Sequence, residues 1–238
     1  MATGTYGKVI LVGAGPGAAD LITVRGARIL ALAEVVLYDA LVTDEMLALC
    51  PQAKKISVGK RSGQRSTAQL DINERLVTCA RDYKLVVRLK GGDPMIFGRA
   101  DEELRVLEAH GIEVEIVPGI TAALAAAAAA KQPLTMRGIA RSVAFFTSAT
   151  APGQPDDTIL PACDTIVQYM GGREAMTTAE RLLAQGRSPE TPVVIVENCS
   201  LPGQRVAYLT LGGLQQGIKA CTGAVLVMIG NALGPRQP

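Results

Sequence analysis

The chain has 238 residues, with 24 Lys and Arg against 22 Asp and Glu, so its formal net charge is only +2. A balance this even argues against a dedicated nucleic-acid binder, which is usually far more basic. Aromatic residues make up 3% of the chain and Trp is absent, which leaves few stacking platforms for single-stranded nucleic acid. A hydrophobic content of 48% supplies enough material for a buried core.

Residues 120–130 form the longest apolar run, which is shorter than the roughly 18 residues that span a bilayer. We therefore expect no transmembrane helix, no membrane partner and a cytoplasmic location. The five cysteines show no CxxC spacing and are accompanied by a single histidine, His110. We expect buried, reduced thiols and no metal site.

Short β-branched runs alternate with longer helical stretches, which predicts an α/β fold. In the first half the predicted strands are 8–13, 35–38, 55–58, 85–89 and 114–117, and the predicted helices are 23–33, 43–50, 67–81 and 99–110. The second half is predicted as helices 121–130, 173–185 and 211–218 with strands 142–147, 165–169, 193–197, 205–209 and 224–229. The late strands are closely spaced and indicate a mixed sheet. The turn at Pro118-Gly119 divides two α/β domains, 1–118 and 119–238, which we expect to flank a cleft.

The loop after the first strand, Gly13-Ala14-Gly15-Pro16-Gly17-Ala18, fits the G-x-G-x-x-G/A fingerprint of dinucleotide-binding proteins. Asp39, at the end of the second strand, lies where a ribose-binding acid is expected. The pair suggests an oxidoreductase that binds NAD or FAD. Pro16 weakens this interpretation, because it removes an N–H from the loop that would hold the pyrophosphate.

A second motif covers residues 86–99, VVRLKGGDPMIFGR. Its strand runs into Gly91-Gly92, where the backbone can approach a ligand without a Cβ in the way. Asp93 follows at the carboxyl end of the strand, the usual place for ligands in open α/β sheets. Arg99 begins the next helix, where the helix dipole disfavours a cation, and this indicates a functional role. The acids that follow it, Asp101, Glu102 and Glu103, suit that dipole.

Two further turns carry candidate residues. Residues 117–123 form a strand-to-helix glycine turn that contains Thr121 and Ala122. Residues 133–138 place Arg137 in a turn after the alanine-rich helix, on the second side of the expected cleft.

The stretches GAGPG, YD, GKRSG, VVRLKGGDPMIFGR, EIVPGITAA and PLTMRG occur in the order seen in the tetrapyrrole methylases. From about residue 7 to 230 the chain resembles the uroporphyrinogen III C-methyltransferases of that family. The resemblance implies two α/β domains flanking a cleft, a homodimer, and S-adenosylmethionine bound differently from the common Rossmann methyltransferases. It also implies methylation of uroporphyrinogen III at C2 and then C7, without a metal. The product would be precorrin-2, formed through precorrin-1 and used for sirohaem, cobalamin or haem d1.

Carried over by motif, the resemblance implies cofactor contacts at Pro16, Gly91, Gly92, Asp93, Ile96, Thr121, Ala122, Met170 and Ala224. It implies substrate binding or proton transfer at Arg99, Glu102, Arg137 and Asp39. The substrate bears eight carboxylates, and arginine pairs with carboxylates bidentately. A guanidinium hardly deprotonates, so we expect Arg99 to orient the substrate while Glu102 positions Arg99 or handles a proton. The basic loop 60–65 is expected to cover the carboxylate rim.

Three alternatives remain open at the level of the sequence. A methylase acting on a later corrin intermediate would share the GDP core but differ around it. An NAD-dependent oxidoreductase would use the first glycine loop and Asp39, and it would leave the second motif unexplained. A silent binding module would hold the tetrapyrrole without transferring a methyl group. We expect the single-function form of the enzyme, without a dehydrogenase or ferrochelatase segment.

Overall fold

The computed structural model of the chain describes residues 6–59, 69–148, 159–218 and 221–235. The chain divides into two compact units, the first ending at Thr121 and the second beginning at Ala122, a few residues beyond the Pro118-Gly119 turn. The predicted loops at 60–65 and 150–157 lie outside the described residues. Within the described ranges, every helix is too short or too polar to cross a bilayer.

The first unit is a five-stranded parallel sheet with helices on both faces. Its strands are β1 (Lys8–Gly13), β2 (Val35–Tyr38), β3 (Lys54–Ser57), β4 (Leu85–Lys90) and β5 (Val114–Val117). Its helices are α1 (Val24–Leu30), α2 (Asp44–Leu47), α3 (Gln69–Asp82) and α4 (Ala100–Ala109). The strand order is β3-β2-β4-β1-β5 and every neighbouring pair is parallel, so β4 and β1 have neighbours on both sides.

Both faces of this sheet are buried, which explains the continuous apolar runs of its strands. Val9 and Leu11 of β1 pack towards α3 and α4, whereas Ile10 and Val12 pack towards α1 and α2. Helix α2 is shorter than predicted. The chain after Leu47 tightens into successive turns closed by i to i+3 hydrogen bonds, as helix ends often do.

The second unit contains a mixed sheet, as predicted. Its strands are β6 (Val143–Phe146), β7 (Thr165–Tyr169), β8 (Pro192–Glu197), β9 (Arg205–Thr210) and β10 (Val225–Gly230). Its helices are α5 (Ala122–Ala129), α6 (Ala175–Ala184) and α7 (Leu211–Leu214). The order is β6-β7-β10-β8-β9, in which the first pair is parallel and the other three are antiparallel. Helix α5 covers one face of this sheet, and α6 and α7 cover the other.

Three glycine backbones meet at the carboxyl edge of the first sheet. A Cβ on Gly119 would lie 2.3 Å from the carbonyl oxygen of Gly92 and 2.8 Å from the Cα of Gly13. Gly15 and Gly92 also exchange two backbone hydrogen bonds, of 3.1 and 2.7 Å. The loops that follow β1, β4 and β5 therefore form one locked assembly, which only glycine permits at the contact.

The glycine contact predicts that a methyl group added at Gly119 lowers stability more than one added at Gly213. Gly119→Ala should lower the free energy of unfolding by about 1–3 kcal/mol, because backbone atoms must shift to admit the new Cβ. Gly213→Ala in α7 is the matched control, since its Cβ would meet nothing closer than 3.6 Å. Urea unfolding of both variants checks the prediction, and equal midpoints for the two would contradict it.

Candidate functional site

The predicted ligand residues of the first unit gather at one edge of its sheet. Because the carboxyl ends of parallel strands share an edge, the loops after β1, β2, β4 and β5 are neighbours there, the usual ligand position in an open α/β sheet. The residues that the structure places at this edge are Pro16, Asp39, Gly91, Gly92, Asp93, Ile96, Arg99, Glu102 and Thr121. The sequence motifs are thus brought together although more than 100 residues separate the first from the last.

Asp93 holds two of these loops together. Its Oδ1 accepts a hydrogen bond of 2.9 Å from the Met95 N–H, and its Oδ2 accepts one of 2.9 Å from the Gly119 N–H. Both carboxylate oxygens thus bind backbone, one in the loop after β4 and one in the loop after β5. The structure gives Asp93 a role in fixing the glycine contact, and its predicted contact with the cofactor stays a prediction.

The dinucleotide interpretation of the first loop is wrong for physical reasons. The Gly15 N–H, which would face a pyrophosphate, donates instead to the Gly92 carbonyl. After the loop comes a single 3-10 turn, Ala19–Leu21, and α1 begins only at Val24. In the Rossmann fold β1 lies between β2 and β4 and the loop opens directly onto a helix. Here β1 lies between β4 and β5.

Arg99 and Glu102 form an exposed bidentate pair at the start of α4. Arg99 Nε lies 2.7 Å from Glu102 Oε1, and Arg99 Nη2 lies 2.9 Å from Glu102 Oε2. The side chains are 58% and 39% exposed, so both are accessible to a ligand. The hydrogen bond to Glu102 raises the pKa of Arg99, which argues against this guanidinium as a base. Its Nη1 edge is not used by the pair and is available for a second carboxylate.

Beneath this edge lies a buried ion cluster that the sequence analysis missed. Arg88 Nε donates to Glu103 Oε1 at 2.9 Å, Lys90 Nζ donates to Glu103 Oε2 at 2.9 Å, and Arg88 Nη2 pairs with Asp39 Oδ1. Glu103 is fully buried, so its placement reflects these partners and not only the helix dipole that the sequence suggested. The sequence did contain a signal for this cluster: Arg88 and Lys90 lie on a central strand that is buried on both faces, and buried charges need partners.

Burial and neighbouring charges act on the two cations in opposite directions. Burial, reinforced by the charge of Arg88, lowers the pKa of Lys90 although Glu103 opposes the shift. Burial also acts against the charge of Arg88, but Asp39 and Glu103 outweigh it and raise the pKa of Arg88. Arg88 is therefore the fixed positive charge of the cluster.

In the second unit, three predicted cofactor residues share one edge of the sheet. Strands β7 and β10 are antiparallel, so Met170 at the end of β7 lies near Ala224 at the start of β10. Gly171 N–H donates to the Val225 carbonyl at 3.3 Å across this junction. The first turn of α5, which begins at Ala122, is tied to the same edge because the Ala123 N–H donates to Tyr169 Oη at 3.1 Å.

Arg137 lies elsewhere in the second unit, in an exposed turn. Met136 and Ala140 close this turn through reciprocal backbone hydrogen bonds of 2.9 and 2.8 Å. Gly138 takes a φ of +80° within it. Arg137 is exposed in this turn, and its predicted contact with the substrate stays a prediction.

Glu197 anchors the loop that leads into Ala224, and the sequence analysis did not identify it. Its Oε1 accepts hydrogen bonds from the N–H groups of Thr222 and Gly223 at 2.7 and 2.9 Å, and Arg205 Nε donates to its Oε2 at 2.7 Å. Burial acts against ionisation of Glu197, but these hydrogen bonds outweigh it and lower its pKa. The partners lie far apart in sequence, so no local pattern marks this contact.

Among the described residues, three of the six non-glycine residues with positive φ lie on the candidate loops. Phe97, Arg99 and Met170 have φ values of 52°, 54° and 56°, in the left-handed region that non-glycine residues rarely adopt. Each costs about 1–2 kcal/mol relative to a right-handed conformation. Such strain occurs preferentially at functional sites, and the tertiary contacts around these loops must impose it.

The cysteines are partly as expected. Cys50, Cys79 and Cys199 are buried, and burial raises the pKa of each thiol. Cys163 and Cys221 are half-buried, contrary to the expectation. Among the described residues, no group of three or more His, Cys, Asp or Glu side chains is placed to hold a metal ion.

Comparison with solved structures defines the class of fold. A uroporphyrin-III C-methyl transferase from Thermus thermophilus, solved with S-adenyl homocysteine, is 39% identical with a TM-score of 0.84, and the match covers 95% of this chain and 99% of that one. A cobalt precorrin-4 methyltransferase is 30% identical with a TM-score of 0.80, over 99% of both chains. The two α/β sheets therefore form the tetrapyrrole methylase fold and not the Rossmann methyltransferase fold.

Sequence comparison gives the family. Residues 8–215 match the model for tetrapyrrole (corrin/porphyrin) methylases, and the chain belongs to that family. A siroheme synthase of Neisseria meningitidis serogroup B is 45% identical over 232 residues, which is 96% of this chain and 48% of the relative. A siroheme synthase of Tolumonas auensis is 47% identical over 229 residues, which is 94% of this chain and 49% of the relative. The chain spans about half the length of these curated relatives.

The Glu197 anchor predicts a pH-dependent contribution to stability. A carboxyl group whose pKa is lowered by folding stabilises the protein above its ordinary pKa of 4.5 and loses that effect as the pH falls through the lower folded value. Glu197→Gln should therefore cost about 2 kcal/mol at pH 7, and the difference from the unsubstituted protein should shrink below pH 4.5. Urea unfolding at several pH values measures it. Glu190→Gln, at an exposed position, is the control, and a pH-independent difference for Glu197→Gln would disprove the assignment.

Proposed function

We propose that this protein transfers methyl groups from S-adenosylmethionine to uroporphyrinogen III, at C2 and then at C7, to give precorrin-2. The observation that carries the proposal is the near full-length match to the Thermus thermophilus uroporphyrin-III C-methyl transferase, which was solved with S-adenyl homocysteine. The siroheme synthase relatives support the same class of substrate. Release of precorrin-2 would supply sirohaem, cobalamin or haem d1 synthesis.

The loops at the carboxyl edge fit a bound S-adenosylmethionine. A Cβ on Gly91 would meet only the Leu41 side chain, at 3.5 Å, so the backbone there is open to a ligand. The residues that we propose to hold the cofactor are Pro16, Gly91, Gly92, Asp93, Ile96, Thr121, Ala122, Met170 and Ala224. When bound, S-adenosylmethionine supplies a methyl group on a sulfonium, which is a good leaving group.

We assign the macrocycle's carboxylates to arginine side chains. Arg99 donates to Glu102 through Nε and Nη2, which leaves Nη1 to bind a substrate carboxylate. Arg137 supplies a second exposed guanidinium. Each guanidinium is suited to bind a carboxylate by charge-assisted hydrogen bonds, which are stronger and more directional than neutral ones. The basic loop 60–65 stays a predicted cover for the carboxylate rim.

The chemical step requires alignment and the loss of a proton. A ring carbon forms a bond to the methyl carbon while the methyl–sulfur bond breaks, and the macrocycle releases one proton. Alignment to about 3–3.5 Å supplies much of the rate acceleration. Arg99 stays charged, so we assign the proton to a carboxylate. Asp39, at the end of β2, is the residue that we assign to a pyrrole N–H of the macrocycle. Glu102 is a candidate acceptor for the released proton.

The homodimer, which the family resemblance implies, and the cytoplasmic location both stay predictions. A tetrapyrrole methylase that acts on a later corrin intermediate is the nearest competing function. The cobalt precorrin-4 methyltransferase has the same fold but lower identity than the Thermus thermophilus enzyme, 30% against 39%.

Product mass tests the proposed function directly. Anaerobic incubation with S-adenosylmethionine and enzymatically generated uroporphyrinogen III should give a product heavier by two methyl groups, together with S-adenosylhomocysteine. Heat-inactivated protein is the control. A product with one added methyl group would contradict the second methylation. Binding of S-adenosylmethionine without any methylated product would contradict uroporphyrinogen III as the substrate and would favour a later corrin intermediate.

The Arg99–Glu102 pair predicts the outcome of a conservative substitution. Arg99→Lys keeps the charge but cannot hold Glu102 and a substrate carboxylate through two separate edges. Turnover should fall about 10²-fold while binding of S-adenosylhomocysteine, measured by calorimetry, is unchanged. Arg105→Lys is the matched control, because Arg105 pairs with Asp101 on the exposed part of the same helix. Equal turnover in the Arg99 and Arg105 variants would remove Arg99 from the mechanism.

A further inference from the structure

The Asp39 carboxylate is the outer end of a chain of four charges. From the edge of the sheet inwards the chain runs Asp39, Arg88, Glu103 and Lys90, and each member contacts the next. The side chains of Arg88, Glu103 and Lys90 are 3%, 0% and 3% exposed, whereas that of Asp39 is 31% exposed. Only one member of the chain is therefore accessible to a ligand.

The guanidinium of Arg88 is held from several directions. Its Nε donates to Glu103, and its Nη1 lies 3.2 Å from the Leu89 carbonyl and 3.5 Å from the Leu37 carbonyl. These contacts come from β2, from β4 and from α4, so the guanidinium cannot turn without breaking several of them. Its Nη2 therefore meets Asp39 Oδ1 in one fixed direction.

The second oxygen of Asp39 is left for another partner. Within the described residues, no hydrogen bond or ion pair involves Asp39 Oδ2. With Oδ1 clamped by Arg88, rotation about the last side-chain bond is restricted and Oδ2 has one preferred position. A carboxylate held in this way is preorganised to accept a hydrogen bond from a substrate N–H, without the cost of fixing it during the reaction.

Stability alone does not explain the cluster. Burying charges costs free energy, and apolar side chains of similar volume often replace buried ion pairs without loss. Val86, on the same face of β4 as Arg88, and Leu107 of α4, which packs on that face, are apolar and fully buried. An apolar cluster would thus suit this part of the core, and the charges call for another explanation.

We propose that Arg88 is a positioning residue for the methyl transfer: it fixes the Asp39 carboxylate so that Oδ2 meets a pyrrole N–H of the substrate. Glu103 and Lys90 in turn hold Arg88. The proposal rests on the proposed function, since it assigns Asp39 the contact with the macrocycle.

A double-mutant cycle on turnover tests the proposal. Arg88→Met and Asp39→Asn should each lower kcat, the first by about 10²-fold, with the KM for S-adenosylmethionine unchanged. The double variant should be no slower than Asp39→Asn alone, because Arg88 acts only through Asp39. Leu76→Ala is the control: it removes buried apolar volume from α3 in the core on the same face of the sheet and takes no part in the chain of charges, so it should lower the thermal midpoint and change kcat less than threefold.

Several outcomes would overturn the proposal. Additive losses in the double variant would mean that Arg88 acts independently of Asp39. A loss of kcat in Leu76→Ala equal to that in Arg88→Met would mean that general destabilisation explains both. If Arg88→Met does not fold, the same cycle is run with Arg88→Lys, which keeps the charge but cannot reach Asp39 and Glu103 together. An inactive unsubstituted protein would overturn the proposed function and this inference with it, whereas an active one with additive losses would overturn the inference alone.

Discussion

The contact among Gly13, Gly92 and Gly119 sets the geometry of the first unit's ligand edge. At separations of 2.3 to 2.8 Å for an added Cβ, only bare backbone fits between the loops after β1, β4 and β5. Asp93 maintains that contact by accepting hydrogen bonds from two loops at once. The candidate site is therefore built largely from main chain, whose positions are fixed more tightly than those of long side chains.

Two kinds of ion pair surround this edge, and their energetics differ. The Arg99–Glu102 pair is exposed, and such pairs contribute between about 0 and 1 kcal/mol to stability, so it can exchange partners with a ligand at small cost. The cluster of Arg88, Glu103 and Lys90 is buried, and removal of one member leaves a buried charge without its partner. The exposed pair suits contact with a charged substrate, and the buried cluster suits the fixing of a neighbouring carboxylate.

Local sequence patterns predicted most of the fold and the loops that carry the candidate site residues. The apolar runs of β1 and β4 and the glycines that follow them locate the central strands and their ligand loops. The features that the sequence did not reveal depend on contacts between distant residues. Arg88 pairs with Glu103 on another element, and Glu197 binds the loop before Ala224. The dinucleotide fingerprint misled for the same reason. This fold differs from the Rossmann fold in the strand beside β1 and in the partner of the Gly15 N–H. Neither property is visible in a local pattern.

The left-handed backbone at Phe97, Arg99 and Met170 bears on attempts to make this protein more thermostable. Glycine or asparagine adopts that conformation at lower cost, so a search for stabilising substitutions would select these three positions early. Two of them are proposed to contact a ligand, and Phe97 lies two residues before Arg99 in the loop between β4 and α4. Gains in thermal tolerance at these positions would therefore trade against catalysis, and engineering is better directed to surface positions away from the ligand edge.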